Sequence, residues 1–382
     1  MKCIYNGKIV LPDRVVENEY LIFDDKILSI EPECGKEKYS DCECIDAGGA
    51  YVIPGLVDIH IHGYLGEDAS DAKPEGLKVM AEGVLKNGVT SFLPTTMTVS
   101  LAELTAAFDA IRSVMEDSKT WDGAEILGVH AEGPFINPSK KGAQAADHIL
   151  EPYAGFVLDN LDVMKIITLA PEMDPNMRAI REIVKNSDVL ISMGHTGADF
   201  TTALAGIAAG CHHSTHLFNA QSPLHHRDPG VVGASLMSDE VSCELIADTF
   251  HVNPGLYKLV SRMKGEQVNL ITDCTRAGGL PDGTYTLGGQ PIYVKGIECR
   301  LEDGTIAGSV LKLNDAVYNY MQHAELPVYE AVAAASFYPA RAIHVDDKKG
   351  SLLPGRDADI VFADEKMNIQ KVFRGGKLSY EA

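Results

Sequence analysis

Six side chains able to hold a cation or move a proton stand at or just past the ends of apolar, strand-like segments: His60, His62, Glu132, His195, His216 and Asp273. His60 and His62 lie in VDIHIHG, and the two-residue period of a strand puts both imidazoles on one face, where they can bind one metal ion together. Alone, that pair serves a buried, hydrogen-bonded histidine couple equally well. Glu132 in HAEGPF can bridge two ions or hold one, although a single acid there would more simply cap a helix. His195 in MGHT and His216 in STHLFNA add neutral imidazole, the commonest ligand for zinc-like ions. One histidine on a strand is usually structural; the joint placement of all of them at strand ends is what points to a metal centre. Asp273 in LITDCT is then placed to take a proton from an activated water and return it to a leaving amine, the alternative being a salt-bridged loop aspartate.

Residues so far apart in sequence converge only if the fold brings strand ends to one mouth. Eight segments of strand length recur: YVIPGLVDIHIH, VTSFLPTT, EILGVHAEG, MKIITLAPE, DVLISMGHT, CHHSTHLFNA, CELIADTFHV and VNLITDCT. Helical patterns separate most of them, at Pro74 to Asn87, Leu101 to Asp117, Pro175 to Lys185 and Phe200 to Ala209. Such alternation predicts a parallel sheet, and eight strands predict closure into a (β/α)8 TIM-like barrel, whose C-terminal face carries the chemistry. An open doubly wound sheet is the competitor, but no G-x-G-x-x-G turn follows the first strand. Short runs broken by turn signals fill both ends of the chain, so residues 1–53 and 346–382 are expected to form one small β-sandwich domain around a barrel at 54–345. Hairpin-like runs near 278–308 read as a β insertion after the eighth strand.

The length of 382 residues suits one barrel plus a small domain, and 45% hydrophobic with 23% charged residues fits a globular enzyme. No apolar run reaches the roughly 18 residues of a membrane span, and the start lacks a signal peptide's apolar stretch, so the cytoplasm is the expected location. A net charge of −21 argues against a nucleic-acid surface, whereas one local basic pocket can still hold a phosphorylated small molecule. The eight cysteines include no C-x2-C pair; Cys34, Cys42 and Cys44 are close enough in sequence for a small metal site, but solvent-side thiols of an N-terminal sheet are the simpler reading.

HAEGPFINPSKKGAQ, SMGHTGA, STHLFNAQSPLHHRDPGVVG, ITDCTRAGG and ASFYPARAIHVDDKKGSLLPGRDADIV together resemble the N-acetylglucosamine-6-phosphate deacetylase family of the amidohydrolase superfamily, over essentially the whole chain. The E-G-P-F and T-H-L-F-N-A blocks are the distinctive ones; PGLVDIHIHG is shared with many amidohydrolases. The resemblance implies hydrolytic deacetylation of N-acetylglucosamine 6-phosphate in amino-sugar catabolism and cell-wall recycling, with Glu132, His195 and His216 as the main metal ligands and Asp273 as general base and acid. Retention of His60 and His62 makes a second divalent ion beside Glu132 and Asp273 feasible, with Zn favoured and Fe, Mn or Co as alternatives. The resemblance further implies Asn219 and Ala220 at the sugar, Arg227 and His251 at its phosphate with His226 adding charge, and a homodimer in which the arginine reaches across the interface. Arg227 has a physical case of its own, because its planar fork suits phosphate oxygens. Gln144 stands where relatives carry histidine, so its role at the acetyl carbonyl or a sugar hydroxyl is an expectation only, as is a place for Ser309 near the substrate.

Rival readings are a deacetylase of N-acetylgalactosamine 6-phosphate, a cyclic-amide amidohydrolase with a carboxylated lysine, and a non-catalytic barrel. Lys165 lies early in its strand, facing away from the mouth, which disfavours the second; presence of all six candidate residues disfavours the third.

Overall fold

The computed structural model describes residues 1–32 and 42–382. Cys34 lies outside the described residues, and among those described no group of three metal-capable side chains includes a cysteine.

The eight apolar segments form eight parallel barrel strands: β1 (Leu56–Ile61), β2 (Val89–Thr96), β3 (Val129–Glu132), β4 (Met164–Leu169), β5 (Leu190–Met193), β6 (Cys211–Ser214), β7 (Ser242–Ile246) and β8 (Val268–Ile271). Each pairs in parallel with the next. Closure between β8 and β1 is made by a single parallel bridge, Ile61 to Cys274, where Asp273 N donates to His60 O at 2.8 Å and His62 N to Cys274 O at 2.9 Å. Deeper in that seam a side chain replaces the ladder: Thr272 Oγ1 donates to Asp58 Oδ2 at 2.6 Å. The barrel is thus nearly closed, with its looser joint beside Asp273.

Helices cover the outside of the barrel. These include α1 (Pro74–Leu85), α2 (Leu101–Ser118), α3 (Gly155–Leu158), α4 (Arg178–Asn186), α5 (Phe200–Ala209), α6 (Gly230–Met237), α7 (Tyr257–Lys264) and α8 (Leu313–Ala324). In α2, Ser100 and Glu103 form a capping box, and Leu104, Ala107, Phe108 and Ile111 recur at helical spacing to make the buried stripe. Truncating Phe108, fully packed, would cost about 3–5 kcal/mol. The helix expected from Pro175 begins instead at Arg178. Asn176 and Met177 adopt φ of 60° and 54°, and the Asp174 carboxylate accepts from the backbone N–H groups of Arg178, Ala179 and Ile180, so the first helical turn is capped from outside it.

Strands from both chain ends make two sheets. One runs Ile27–Pro32, Glu19–Phe23, Lys2–Tyr5, Glu43–Asp46; the other runs Lys377–Glu381, Ile369–Arg374, Ile360–Ala363, Tyr51–Pro54, Lys8–Leu11, Arg14–Val16. Ile4, Leu21, Phe23, Val52, Ile360 and Phe362 share one buried cluster between them. The chain leaves the second sheet at Pro54 and enters β1 at Leu56. A Cβ on the intervening Gly55 would fall 2.0 Å from Thr90 Oγ1, so only glycine permits that close crossing. The segment after β8 carries a three-stranded antiparallel sheet, Gly283–Leu287, Gln290–Lys295 and Glu298–Arg300, which reaches the barrel mouth through Leu287. No helix among the described residues is long and apolar enough to cross a membrane.

Candidate metal centre

All six expected site residues meet at the C-terminal ends of the barrel strands. His60 projects from β1 and His62 directly follows it, while Glu132 ends β3. The other three stand two residues past their strands, in left-handed backbone, with φ of 47° at His195, 30° at His216 and 51° at Asp273. Non-glycine residues avoid that region, and the surrounding hydrogen bonds hold them there: His195 O accepts from Asn137 N at 2.9 Å, and Asp273 O from Ser309 N at 2.8 Å. The reversal turns side chains inward that a continued strand would have carried outward or past the mouth.

Hydrogen bonds at Nδ1 fix which nitrogen each ring offers. His195 Nδ1 lies 2.8 Å from Lys140 O, His216 Nδ1 3.1 Å from Asn219 O and His62 Nδ1 3.0 Å from Thr95 O. A carbonyl only accepts, so each Nδ1 carries the proton and each Nε2 presents a lone pair inward. Glu244 Oε2, 2.9 Å from His60 Nδ1, does the same for the fourth ring. At the centre, Glu132 Oε1 is 3.1 Å from His195 Nε2 and 2.9 Å from His216 Nε2, and those two nitrogens are 3.2 Å apart. Three donor atoms facing one another at such distances need a positive charge among them, which an extra proton on a ring or a metal cation would supply.

A second donor set adjoins the first. His62 Nε2 is 3.3 Å from Glu132 Oε2 and 3.2 Å from Asp273 Oδ1; His60 Nε2 is 3.5 Å from Glu132 Oε1 and 3.6 Å from Asp273 Oδ1. His60 Nε2 is fully buried and has no hydrogen-bond partner, an orphaned atom aimed at two carboxylates. The residues therefore fit a divalent cation at Glu132, His195 and His216, and a donor set that includes His60, His62 and Glu132 beside it. A third grouping, His60, His130 and Glu244, does not fit, because His130 Nδ1 donates to Ile59 O at 2.9 Å and its Nε2 bonds Thr168 Oγ1 at 2.7 Å.

Electrostatics follow the same geometry. Burial pushes the Glu132 carboxyl up, but the adjoining His195 and His60 rings outweigh it and hold the group well below the usual carboxylate range. Asp273 is likewise lowered, burial being overcome by its bond to His62 and by nearby His60. Burial would depress His60, yet Glu244 and Glu132 raise it to about 9. Burial, reinforced by the neighbouring His60, lowers His130 to about 3 and keeps it neutral, and burial raises Asp58 to about 7.

Five of the six expected site residues, His62, Glu132, His195, His216 and Asp273, line a cavity of about 380 Å³, with Gln144, Asn219, Ala220, His251 and Leu287 also on its wall. Gln144 spends its amide on the site itself, Oε1 accepting from Thr98 N at 2.6 Å and Nε2 donating to Glu132 Oε2 at 2.5 Å. His251 is oriented by Asp248, Nδ1 to Oδ2 at 2.6 Å. His226 and Arg227 do not join this cavity; both are exposed on the turn His225–Asp228. Ser309 is fully buried with its hydroxyl committed, donating to Thr272 O at 2.6 Å and accepting from Leu311 N at 3.0 Å, so it braces the Asp273 loop from behind. Lys165 faces a pocket at the opposite end of the barrel with Asn186 and Asp188. Sequence reasoning missed Glu244 and Lys140, whose side chain also reaches the cavity wall. The available signal for Glu244 was an acid inside the apolar strand CELIAD, a position that folding tolerates only for a partnered charge.

This fold and donor set define a metal-dependent hydrolase, and the chain belongs to the Amidohydrolase family, whose model matches residues 51–379. Among curated relatives it is 38% identical over 380 residues to the N-acetylglucosamine-6-phosphate deacetylase of Bacillus subtilis (strain 168), covering 97% of this chain and 95% of that protein. It is 34% identical over 371 residues to the N-acetylgalactosamine-6-phosphate deacetylase of Escherichia coli O157:H7, covering 95% of each. The crystal structure of N-acetylglucosamine-6-phosphate deacetylase from Pasteurella multocida superposes with a TM-score of 0.93 at 30% identity over 100% of both chains.

Proposed function

We propose that this chain hydrolyses the acetamide of N-acetylglucosamine 6-phosphate to glucosamine 6-phosphate and acetate. The observation that carries the reading is the convergence of Glu132, His195 and His216 with Asp273 on the floor of one sugar-sized cavity, in a chain alike from end to end to deacetylases of this substrate. When bound, a divalent cation, Zn foremost, polarises the acetamide carbonyl and acidifies the attacking water. Asp273, unprotonated at neutral pH, accepts the water's proton at its carboxylate and delivers it to the departing amine nitrogen, a role worth about 10²–10⁴ in rate. His62 Nε2, 3.2 Å from the same carboxylate, stands beside it as a donor to the adjoining cation position. Gln144 locks Glu132 in place through its Nε2 bond, leaving only its aliphatic stem for the acetyl group.

Asn219, Ala220 and His251 line the wall against which the sugar and its phosphate would lie. The exposure of Arg227 and His226, outside the cavity of their own chain, fits a phosphate contact completed across a homodimer interface. Two ions per subunit are favoured by the orphaned His60 Nε2. The test is acetate release from N-acetylglucosamine 6-phosphate by purified protein before and after chelation, with N-acetylgalactosamine 6-phosphate in parallel and metal content measured on the same sample. Rapid, chelator-sensitive release from the glucosamine compound is the expected result. Faster release from the galactosamine compound would reassign the substrate to that of the Escherichia coli relative, and release from neither by fully metallated protein would overturn the deacetylase reading.

A further inference from the structure

Besides Glu132, which both donor sets share, a second buried carboxylate links them from behind while belonging to neither set. Glu244 is wholly buried on β7, behind the histidines. Its Oε2 accepts from His60 Nδ1 at 2.9 Å and from the backbone N–H of His216 at 3.0 Å. Its backbone carbonyl accepts from Leu217 N at 2.9 Å, and its Oε1 lies 3.3 Å from His213 Nε2. His216 belongs to the first donor set and His60 to the second, so a single oxygen atom ties a ligand of each together. His216 also sits at φ of 30°, a backbone state that needs such outside bonds to persist.

We propose that Glu244 is a positioning residue that couples the two cation positions, holding the His60 ring as a second-position ligand while pinning the loop that carries His216. The inference rests on the two-cation reading of the site. A titration with metal alone, which uses no sugar, separates its failure from failure of the substrate assignment. A carboxylate behind a ligating imidazole fixes the ring and strengthens it as a donor, and removing one weakens metal affinity by about 10–100-fold. Because Oε2 serves both ligands, loss of the charge would be felt at both positions, whereas loss of His60 would be felt at one.

The experiment compares wild type, Glu244→Gln and His60→Ala after chelation and stepwise reloading with Co2+, reading bound stoichiometry, affinity and the cobalt absorption spectrum. His60→Ala should bind one ion fewer and leave the spectrum of the retained ion unchanged. Glu244→Gln should bind the second ion about 10–100-fold more weakly and also shift the spectrum of the first. In turnover assays of the loaded Gln variant, kcat should fall with KM unchanged. Wild-type stoichiometry and affinity in folded Glu244→Gln would overturn the proposal, as would a spectrum matching that of His60→Ala. Should Glu244→Gln not fold, Glu244→Asp keeps the charge but draws it back from His60 and must show the same weakening. Wild-type reloading by that variant, or failure of both to fold, would make the carboxylate purely structural and end the coupling role.

Discussion

Two buried charge clusters at different ends of the barrel differ in where their positive charge comes from. Where the terminal β sheets meet the start of β3, Lys349 is almost wholly buried, with Nζ 2.7 Å from Glu125, 2.9 Å from Asp357 and 3.0 Å from Asp359. Lys26 at 2.8 Å from Asp357 and Arg374 at 4.0 Å from Glu125 bring the balance to three cations and three carboxylates. At the mouth, Glu132, Asp273 and Glu244 face four imidazoles whose Nδ1 protons are already spent. The first cluster is balanced by lysine and arginine; the second sets only histidines against its carboxylates and presents donor groups that fit a divalent cation. Burial of charge is thus common to both, and the kind of partner distinguishes function from support.

The sharpest way to break this contrast is Asp273→Asn, which should lower kcat by about 10²–10⁴-fold while thermal unfolding and binding of the ion at Glu132, His195 and His216 stay near wild type. If the variant retained most of its activity, the mouth cluster would be as passive as the other. Lys349→Met should do the opposite, costing about 3–5 kcal/mol of stability by stranding carboxylates, with kcat per folded molecule unchanged. Denaturant melts and active-site-normalised kinetics on the same preparation would show it; a kinetic defect without a stability defect would sink the distinction. Arg227→Ala should raise KM for the phosphorylated sugar by about 10-fold or more and leave the unphosphorylated sugar unaffected. Equal effects on both would remove Arg227 from the phosphate.

The smallest effect is one of pH. In the cation-free chain His60, raised to about 9, adds stability that is fully present below its ordinary value near 6.5 and is lost as pH rises through 9. Cations need the unprotonated ring, so their affinity rises over the same window. The melting-temperature gap between metal-loaded and chelated protein should therefore widen from pH 6.5 to 9. The Lys349 cluster is silent there: Lys349 is raised further above an already basic value, and Asp357, where burial is outweighed by Lys349, is lowered and loses its contribution only as pH falls through the carboxylate range. Calorimetry on both forms across that range would show a constant gap if the histidines were not the titrating groups.

Much of this was legible in the chain. Runs of strand length placed all eight barrel strands; most are apolar because both faces are buried, whereas β6, CHHS, is polar and was picked out by its place in the series. Position at strand ends picked out His60, His62, Glu132, His195, His216 and Asp273, since a parallel barrel sends every such end to one face. The start of α4 was misread because Asp174 caps it by side-chain bonds that no spacing rule records. Glu244 passed as one acid in an apolar run, Gln144 was expected at the acetyl carbonyl or a sugar hydroxyl and Ser309 near the substrate, because the hydrogen-bond partner that claims each side chain is set by the folded loops and not by local spacing.

The sequence by itself determined which residues could do the chemistry and which strands would carry them, as these depend on residue type and local period. Only the tertiary structure decided which nitrogen each histidine presents, that Arg227 stands outside the cavity of its own chain, and that one oxygen of Glu244 joins His60 to His216. Those outcomes are set by hydrogen bonds between segments up to 184 positions apart, whose geometry exists only after the barrel has closed.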